Sequence, residues 1–220
     1  MKYIFFIFFA DILLFNIAVA QKKVSELSVV YDYVATYTNA SKPANGFESA
    51  TNTIFIKGNL VRSETVSASF SSSTIYDSKT GLAVILKEVS GQKLLIRLTQ
   101  ENWLEKNKPY EGIVFSNTTE TKTIAGYKCI KAVGKTKNGL EEISVYYTTE
   151  IIPDNKDYKP EFRNLDGLPL EYELTNGNIK IHYTVSKINL NPVPASKFDL
   201  PKNGYREMTY EESKKQKTGN

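Results

Sequence analysis

Hydrophobic and polar residues alternate over short stretches along nearly all of this 220-residue chain. The pattern is clearest from Leu165 to Tyr205. Asp166-Gly167-Leu168-Pro169-Leu170-Glu171-Tyr172-Glu173-Leu174 alternates, turns at Asn176-Gly177, and is answered by Ile179-Lys180-Ile181-His182-Tyr183-Thr184-Val185. Period-two patterning on both sides of Asn-Gly predicts a β-hairpin, because the turn needs positive φ at its centre and matches the twist of the strands. Near the start, Leu27, Val29, Tyr31, Tyr33, Ala35 and Tyr37 share one face, opposed by Glu26, Ser28, Asp32 and Thr36. Further strands are predicted at Ile54–Lys57, Leu60–Val66, Ser73–Asp77, Leu82–Val89, Leu94–Gln100, Gly112–Thr118, Tyr127–Lys135 and Glu142–Thr149. Gly58-Asn59, Ser90-Gly91-Gln92 and Asn138-Gly139 supply turns, and Asn39–Ser49 and Lys106–Pro109 polar loops. The expectation is one antiparallel sheet.

Helical signals are sparse. Asp154–Asn164 fits a short helix or turn beneath the sheet, with Pro160 inside it. Thr209 and Glu212 form a capping-box pair, Glu211 can meet Lys215, and Thr218–Asn220 reads as a disordered end.

At the amino terminus, Lys2, an apolar run from Tyr3 to Ile17 and Ala18-Val19-Ala20 predict an export signal cleaved before Gln21. Asp11 and Asn16 interrupt the run, which falls short of the about 20 apolar residues a span requires. No cysteine follows the cleavage point to carry a lipid. This gives three regions: a signal at 1–20, one β domain at 21–212 and a polar tail at 213–220. The mature chain is long enough to bury its own core, is expected to be a monomer, and does not span a membrane once the signal is removed.

Charge and composition narrow the function. Losing Lys2 and Asp11 together keeps the net charge at +4. The basic cluster of Lys214, Lys215 and Lys217 lies in the polar tail without interleaved aromatics, so no nucleic-acid partner is expected. Cys129 stands alone, cannot form an intramolecular disulfide, and reads as a small buried hydrophobe. The single histidine, His182, shares the polar side of its strand with Lys180 and Thr184, and no Gly-x-Ser-x-Gly elbow is present. Glu171 and Glu173 fall roughly 7 Å apart on one strand face, within glycosidase range, but that face is the polar one of an amphipathic strand. One histidine and one cysteine make no zinc site, and Asp154 and Asp157 are a fragment of a calcium loop. Phosphate-cradling and dinucleotide fingerprints are absent. No catalytic residue, metal or cofactor is expected, and the sequons at Asn39 and Asn117 carry no argument.

An apolar sheet face must pack on a second sheet, close into a barrel, or curl around something. The inward candidates are Tyr31, Phe55, Leu86, Ile96, Tyr147, Leu170, Tyr172, Ile181 and Tyr183, with Trp103 near a strand end. Patterning alone leaves two readings open: these residues pack on each other, or they line an apolar ligand site.

Five segments carry a resemblance: Ile56-Lys57-Gly58-Asn59-Leu60-Val61-Arg62; Thr74-Ile75-Tyr76-Asp77 through Gly81; Lys122-Thr123-Ile124-Ala125-Gly126-Tyr127-Lys128-Cys129; Gly167-Leu168-Pro169-Leu170-Glu171-Tyr172; and Phe198-x-x-Pro201-x-x-Gly204-Tyr205. In that order, from about Val24 to Glu212, they resemble an uncharacterised family of exported bacterial domains grouped with the periplasmic lipoprotein carriers, the LolA-like proteins. The resemblance implies a mainly β fold: a single strongly curved antiparallel sheet, an unclosed half-barrel whose concave face is covered by one or two short helices or loops. It also implies a periplasmic or secreted, non-enzymatic protein holding a lipid acyl chain or other apolar ligand on that face. The carriers' gating arginine and helical lid segments have no counterpart that can be placed. The alternatives are an envelope interaction module with a self-packed core, and a lipid-modifying enzyme.

Overall fold

A computed structural model describes residues 21–37, 49–68, 70–136, 142–177 and 179–218. The export segment, the loop from Asn39, the Asn138-Gly139 turn and the last two residues lie outside the described residues.

Fourteen strands and two helices are described. The strands are β1 (Lys22–Val24), β2 (Glu26–Tyr37), β3 (Ser49–Lys57), β4 (Leu60–Val66), β5 (Phe70–Asp77), β6 (Leu82–Val89), β7 (Gln92–Leu98), β8 (Val114–Ile124), β9 (Tyr127–Lys135), β10 (Glu142–Thr148), β11 (Ile151–Pro153), β12 (Leu168–Asn176), β13 (Ile179–Asn189) and β14 (Arg206–Thr209). The helices are α1 (Gln100–Asn107) and α2 (Tyr210–Thr218). Twelve strands form one unclosed sheet in the order β14-β7-β6-β5-β4-β3-β2-β13-β12-β10-β9-β8, and β1 pairs with β11 apart from it.

Two antiparallel runs, β2 to β7 and β8-β9-β10-β12-β13, meet where β2 pairs with β13 from Tyr37↔Ile179 to Ser28↔Asn189. The all-antiparallel expectation needs correction, because β14 joins β7 in parallel and β1 joins β11 in parallel. Both exceptions are short strands returning from far along the chain, and alternation inside a strand carries no information about direction.

Inner-face side chains of β2, β3, β4, β10, β12 and β13 build the main core: Leu27, Val29, Tyr31, Ile54, Ile56, Val61, Val145, Leu170, Tyr172 and Val185 are all buried. Each such side chain, fully buried, contributes about 1.5–3 kcal/mol. A smaller cluster joins Tyr76, Ala83, Ile85, Ile96 and Leu98 to Trp103 of α1. Two turn details suit the sequence. Ala125 and Gly126 both take positive φ (49° and 84°) between β8 and β9, and a Cβ on Gly167 would meet the Thr148 carbonyl oxygen at 2.1 Å. The Gly-Leu-Pro-Leu box therefore begins with glycine because a backbone passes there.

The other face of the sheet is also covered. Arg62 donates to the Lys197 carbonyl at 2.8 Å, the Lys197 ammonium sits 4.7 Å from the Phe55 ring centre, and Tyr205 bonds Glu88. Val193 N–H donates to Glu26 at 2.8 Å as the chain starts this crossing. Phe55 lies here, and Leu86 sits opposite Leu95 on the face that Ile85 and Ile96 do not share. Both were expected inward. Ile54-Phe55-Ile56 and Leu82–Leu86 are unbroken apolar runs, which read the same in either register.

Gln100, expected in a strand, instead opens α1. Thr99 caps it: its hydroxyl accepts from Asn102 N–H at 3.2 Å, and its own N–H donates to the Asn102 side chain at 3.2 Å. Thr-x-x-Asn is a weaker written signal than Thr-x-x-Glu. At the far end the expected Thr209–Glu212 box is present, and Thr218 closes α2 instead of lying disordered. Glu211 pairs with Lys214 at 3.0 Å.

Candidate binding site

Segment 154–165 crosses the inner face as two 3-10 turns, Lys156–Tyr158 and Pro160–Phe162. Polar contacts anchor it along its length. Asp154 N–H donates to the Val24 carbonyl at 2.9 Å, Asn155 to the Gly58 carbonyl at 3.0 Å, Lys156 to the Leu165 carbonyl at 2.9 Å, and Asn164 to the Ile113 carbonyl at 2.8 Å. Arg163 pairs with Asp157 at 2.7 Å. Between these anchors Tyr158, Phe162 and Leu165 are buried in the main core, with Phe162 edge-on to Tyr172 at 4.7 Å. The middle of the inner face is thus filled by the chain's own side chains.

Lys159 is the unusual member of this segment. Its side chain is 9% exposed and its ammonium faces Tyr172, Tyr183 and Tyr31 at 4.8, 5.3 and 5.4 Å from their ring centres. Glu161, 11% exposed, lies 3.4 Å away. Cation–π contacts of this kind gain in strength when water is excluded. Burial lowers the lysine pKa, opposed by the attraction of Glu161. The tyrosines brace one another: Tyr172 stacks on Tyr183 at 4.6 Å, and Tyr183 on Tyr33 at 5.5 Å. Tyr31 donates to the Pro169 carbonyl at 2.8 Å. The hydroxyls of Tyr158 and Tyr172 and the side-chain oxygen of Asn52 are buried with no hydrogen-bond partner among the described residues. Burial holds both of these tyrosines well above the ordinary phenol range.

Beside this patch a cavity of about 210 Å³ opens between α1 and segment 154–165. Lys159, Glu161 and Tyr158 line one side, Val61, Ser63, Thr74 and Tyr76 the floor, and Trp103 and Tyr110 the far wall. An adjoining cavity of about 290 Å³ shares Trp103, Asn107, Tyr110 and Pro160 with it. Trp103 stacks on Tyr76 at 4.3 Å, which seats α1 against the sheet. A larger hollow of about 600 Å³ lies elsewhere, where Leu82, Ala83 and Leu98 meet Met208 and Tyr210.

Of the residues singled out from sequence, Tyr31, Tyr147, Leu170, Tyr172 and Tyr183 come together in and against the main core. Ile181 follows Tyr183 on the same side of β13, half-buried, opposite Ala35 and Leu174. Ile96 and Trp103 belong to the second cluster, while Phe55 and Leu86 are on the opposite face. Pattern reading missed Lys159, Glu161, Tyr158 and Tyr76. Tyr158-Lys159-Pro160-Glu161-Phe162 did carry a trace, two aromatics flanking charges around a proline, but it has no period.

Elsewhere several ionisable groups are paired at the surface. Glu171 pairs with Lys122 at 2.5 Å and Glu173 with Lys180 at 2.7 Å, and Lys180 holds Glu173 below the usual carboxylate range. His182, 42% exposed, sits 3.9 and 3.5 Å from these two carboxylates. Cys129 is fully buried, and burial pushes its thiol up to about 11. Among the described residues no three His, Cys, Asp or Glu side chains converge on a metal position, and no helix is long and apolar enough to cross a membrane.

No family model matches this chain, and no curated protein does. Among solved structures it is similar to PNGF-II (15% identity, TM-score 0.45), covering 88% of this chain and 33% of that one. It is also similar to MucB, solved in complex with MucA(peri) (10%, 0.37, covering 81% and 54%). A third is a beta-barrel-like protein of a domain of unknown function from Brucella abortus (7%, 0.33, covering 77% and 99%). The chain spans about a third of the length of PNGF-II. Likenesses this weak leave the fold described by its own strand order.

Proposed function

We propose that this is an exported, non-enzymatic binding domain, a LolA-like half-barrel of the periplasm that holds an acyl chain or similar apolar ligand on its inner face. The ligand enters between α1 and segment 154–165. The observation that carries this reading is the pair of adjoining cavities. They share an aromatic wall of Trp103 and Tyr110, and one of them runs over a mixed floor of Val61, Tyr76, Ser63 and Thr74 to the buried Lys159–Glu161 pair, hydrophobic and aromatic surface with a few placed polar groups as in small-molecule sites.

Magnitude sets how the ligand must sit. Each buried methylene contributes about 0.8 kcal/mol. Micromolar binding needs about 8 kcal/mol, hence roughly ten methylenes. To lie along the inner face, where Phe162 is buried against Tyr172, such a chain requires segment 154–165 to lift.

Organic extraction of natively purified protein, followed by mass spectrometry, tests the reading: a co-purifying acyl compound is expected. Trp103 is the sole tryptophan and forms the cavity wall, so its fluorescence must change on titration with Nile red or an acyl amphiphile. An empty extract together with an unresponsive Trp103 overturns the proposal. One observation favours a second reading, an envelope-protein interaction module: β8 is one of the two edge strands of the sheet, with Val114 72% exposed, where a partner's strand can add.

A further inference from the structure

Four buried polar groups in one patch of the inner face have bonding capacity to spare. The Tyr158 and Tyr172 hydroxyls and the Asn52 side-chain oxygen have no partner among the described residues. Lys159 has three N–H donors and meets Glu161 at 3.4 Å, longer than the usual 2.7–2.9 Å of a charge-assisted bond. Asn52 stands directly opposite Tyr31 in the β2–β3 register, the Tyr31 ring lies 5.7 Å from Tyr172, and Lys159 faces both rings. Protein interiors seldom leave such groups bare, and a cluster of them calls for a functional reason.

The charge balance selects the ligand. Lys159 and Glu161 neutralise one another, so an anionic head would face the buried glutamate and a cationic one the buried lysine, each at a desolvation cost. An uncharged group with both hydroxyl and carbonyl or ether oxygens satisfies donors on Lys159, the acceptor on Asn52 and the two-way phenols without disturbing that balance. Tyrosine faces beside it suit the carbon skeleton of a polyol.

We infer that this patch is the head-group subsite of the acyl ligand, and that it reads an uncharged, oxygen-rich head such as the glycerol of a monoacylglycerol or the sugar of an alkyl glycoside. The inference rests on the acyl-binding reading above. Both hydroxyls are closed to solvent in this state, so the head reaches them by the same lifting of segment 154–165 that admits the chain.

The test is displacement of Nile red from the intact protein by monolaurin, dodecyl glucoside and laurate, matched in chain length and kept below their micelle concentrations. At least one neutral amphiphile is expected to act at roughly tenfold lower concentration than laurate, a discrimination of about one well-made hydrogen-bonded group. Which of the two does so identifies the head. Tyr172→Phe and Tyr158→Phe, which each remove one oxygen and keep the ring, must shrink that preference to about threefold or less while Nile red still binds. Laurate displacing as well as both neutral compounds, or an undiminished preference in both variants, overturns the head-group assignment alone. Failure of the wild-type protein to take up Nile red, or of every amphiphile to displace it, overturns acyl binding and this subsite with it.

Discussion

Replacing Tyr172 with phenylalanine should make this protein more stable. The ring is 1% exposed, stacked on Tyr183 at 4.6 Å and edge-on to Phe162 at 4.7 Å, and all of those contacts survive the change. What disappears is a hydroxyl with no partner among the described residues, whose burial costs about 1–3 kcal/mol. The space left by one oxygen, on the order of 15 Å³ at about 24 cal/mol per Å³, returns only ~0.4 kcal/mol of that. The net gain is therefore about 1–2 kcal/mol, a rise in Tm of about 2–8 °C for a chain of this size. Urea and thermal unfolding of the two proteins measure it. Tyr31→Phe is the control, because the Tyr31 hydroxyl donates to the Pro169 carbonyl at 2.8 Å and its loss strands a buried acceptor, costing about 1–2 kcal/mol. If Tyr172→Phe loses stability as Tyr31→Phe does, the hydroxyl is bonded and the account of an unsatisfied patch is refuted.

Further outcomes follow from other residues. The folded state lowers the pKa of Lys159 from its ordinary 10.5, so between the two values the unfolded chain binds more protons and stability rises with pH. Below the lowered value the burial penalty is present in full. Cys129, Tyr158 and Tyr172, raised in the folded state, pull stability down over the same range, so the lysine is read by difference: between about pH 8 and pH 10 the urea midpoint of the native protein should fall less than that of Lys159→Met. Cys129, buried with its thiol raised to about 11, should resist iodoacetamide in buffer and react at once in urea; rapid native labelling would contradict its burial. Gly167→Ala should cost about 3 kcal/mol, the upper end of the usual range for forced overpacking, since a Cβ meets the Thr148 carbonyl at 2.1 Å; an unchanged Tm would show that β10 yields there freely.

The strand plan was legible where one face is polar. Leu60–Val66 and Tyr127–Lys135 fall where alternation and turn residues place them, and the Thr209 cap was written plainly. Sidedness was lost at Phe55 and Leu86, inside apolar runs that offer no contrast between faces. Helix α1 was missed because its eight residues are mostly polar and its box uses asparagine. The least legible part is the patch around Lys159. A lysine and a glutamate flanking a proline read as a solvated turn, and only the burial of that turn against Tyr31, Tyr172 and Tyr183 makes them a charged pair inside the protein.

The join between β2 and β13 sets the tempo of folding. It links residues more than a hundred positions apart, so neither run can bury its inner border until nearly the whole chain is available. Loop-closure entropy must be met before those contacts form, and topologies of this kind fold slowly. A fragment truncated ahead of residue 179 would expose the bare β2 edge and self-associate through it.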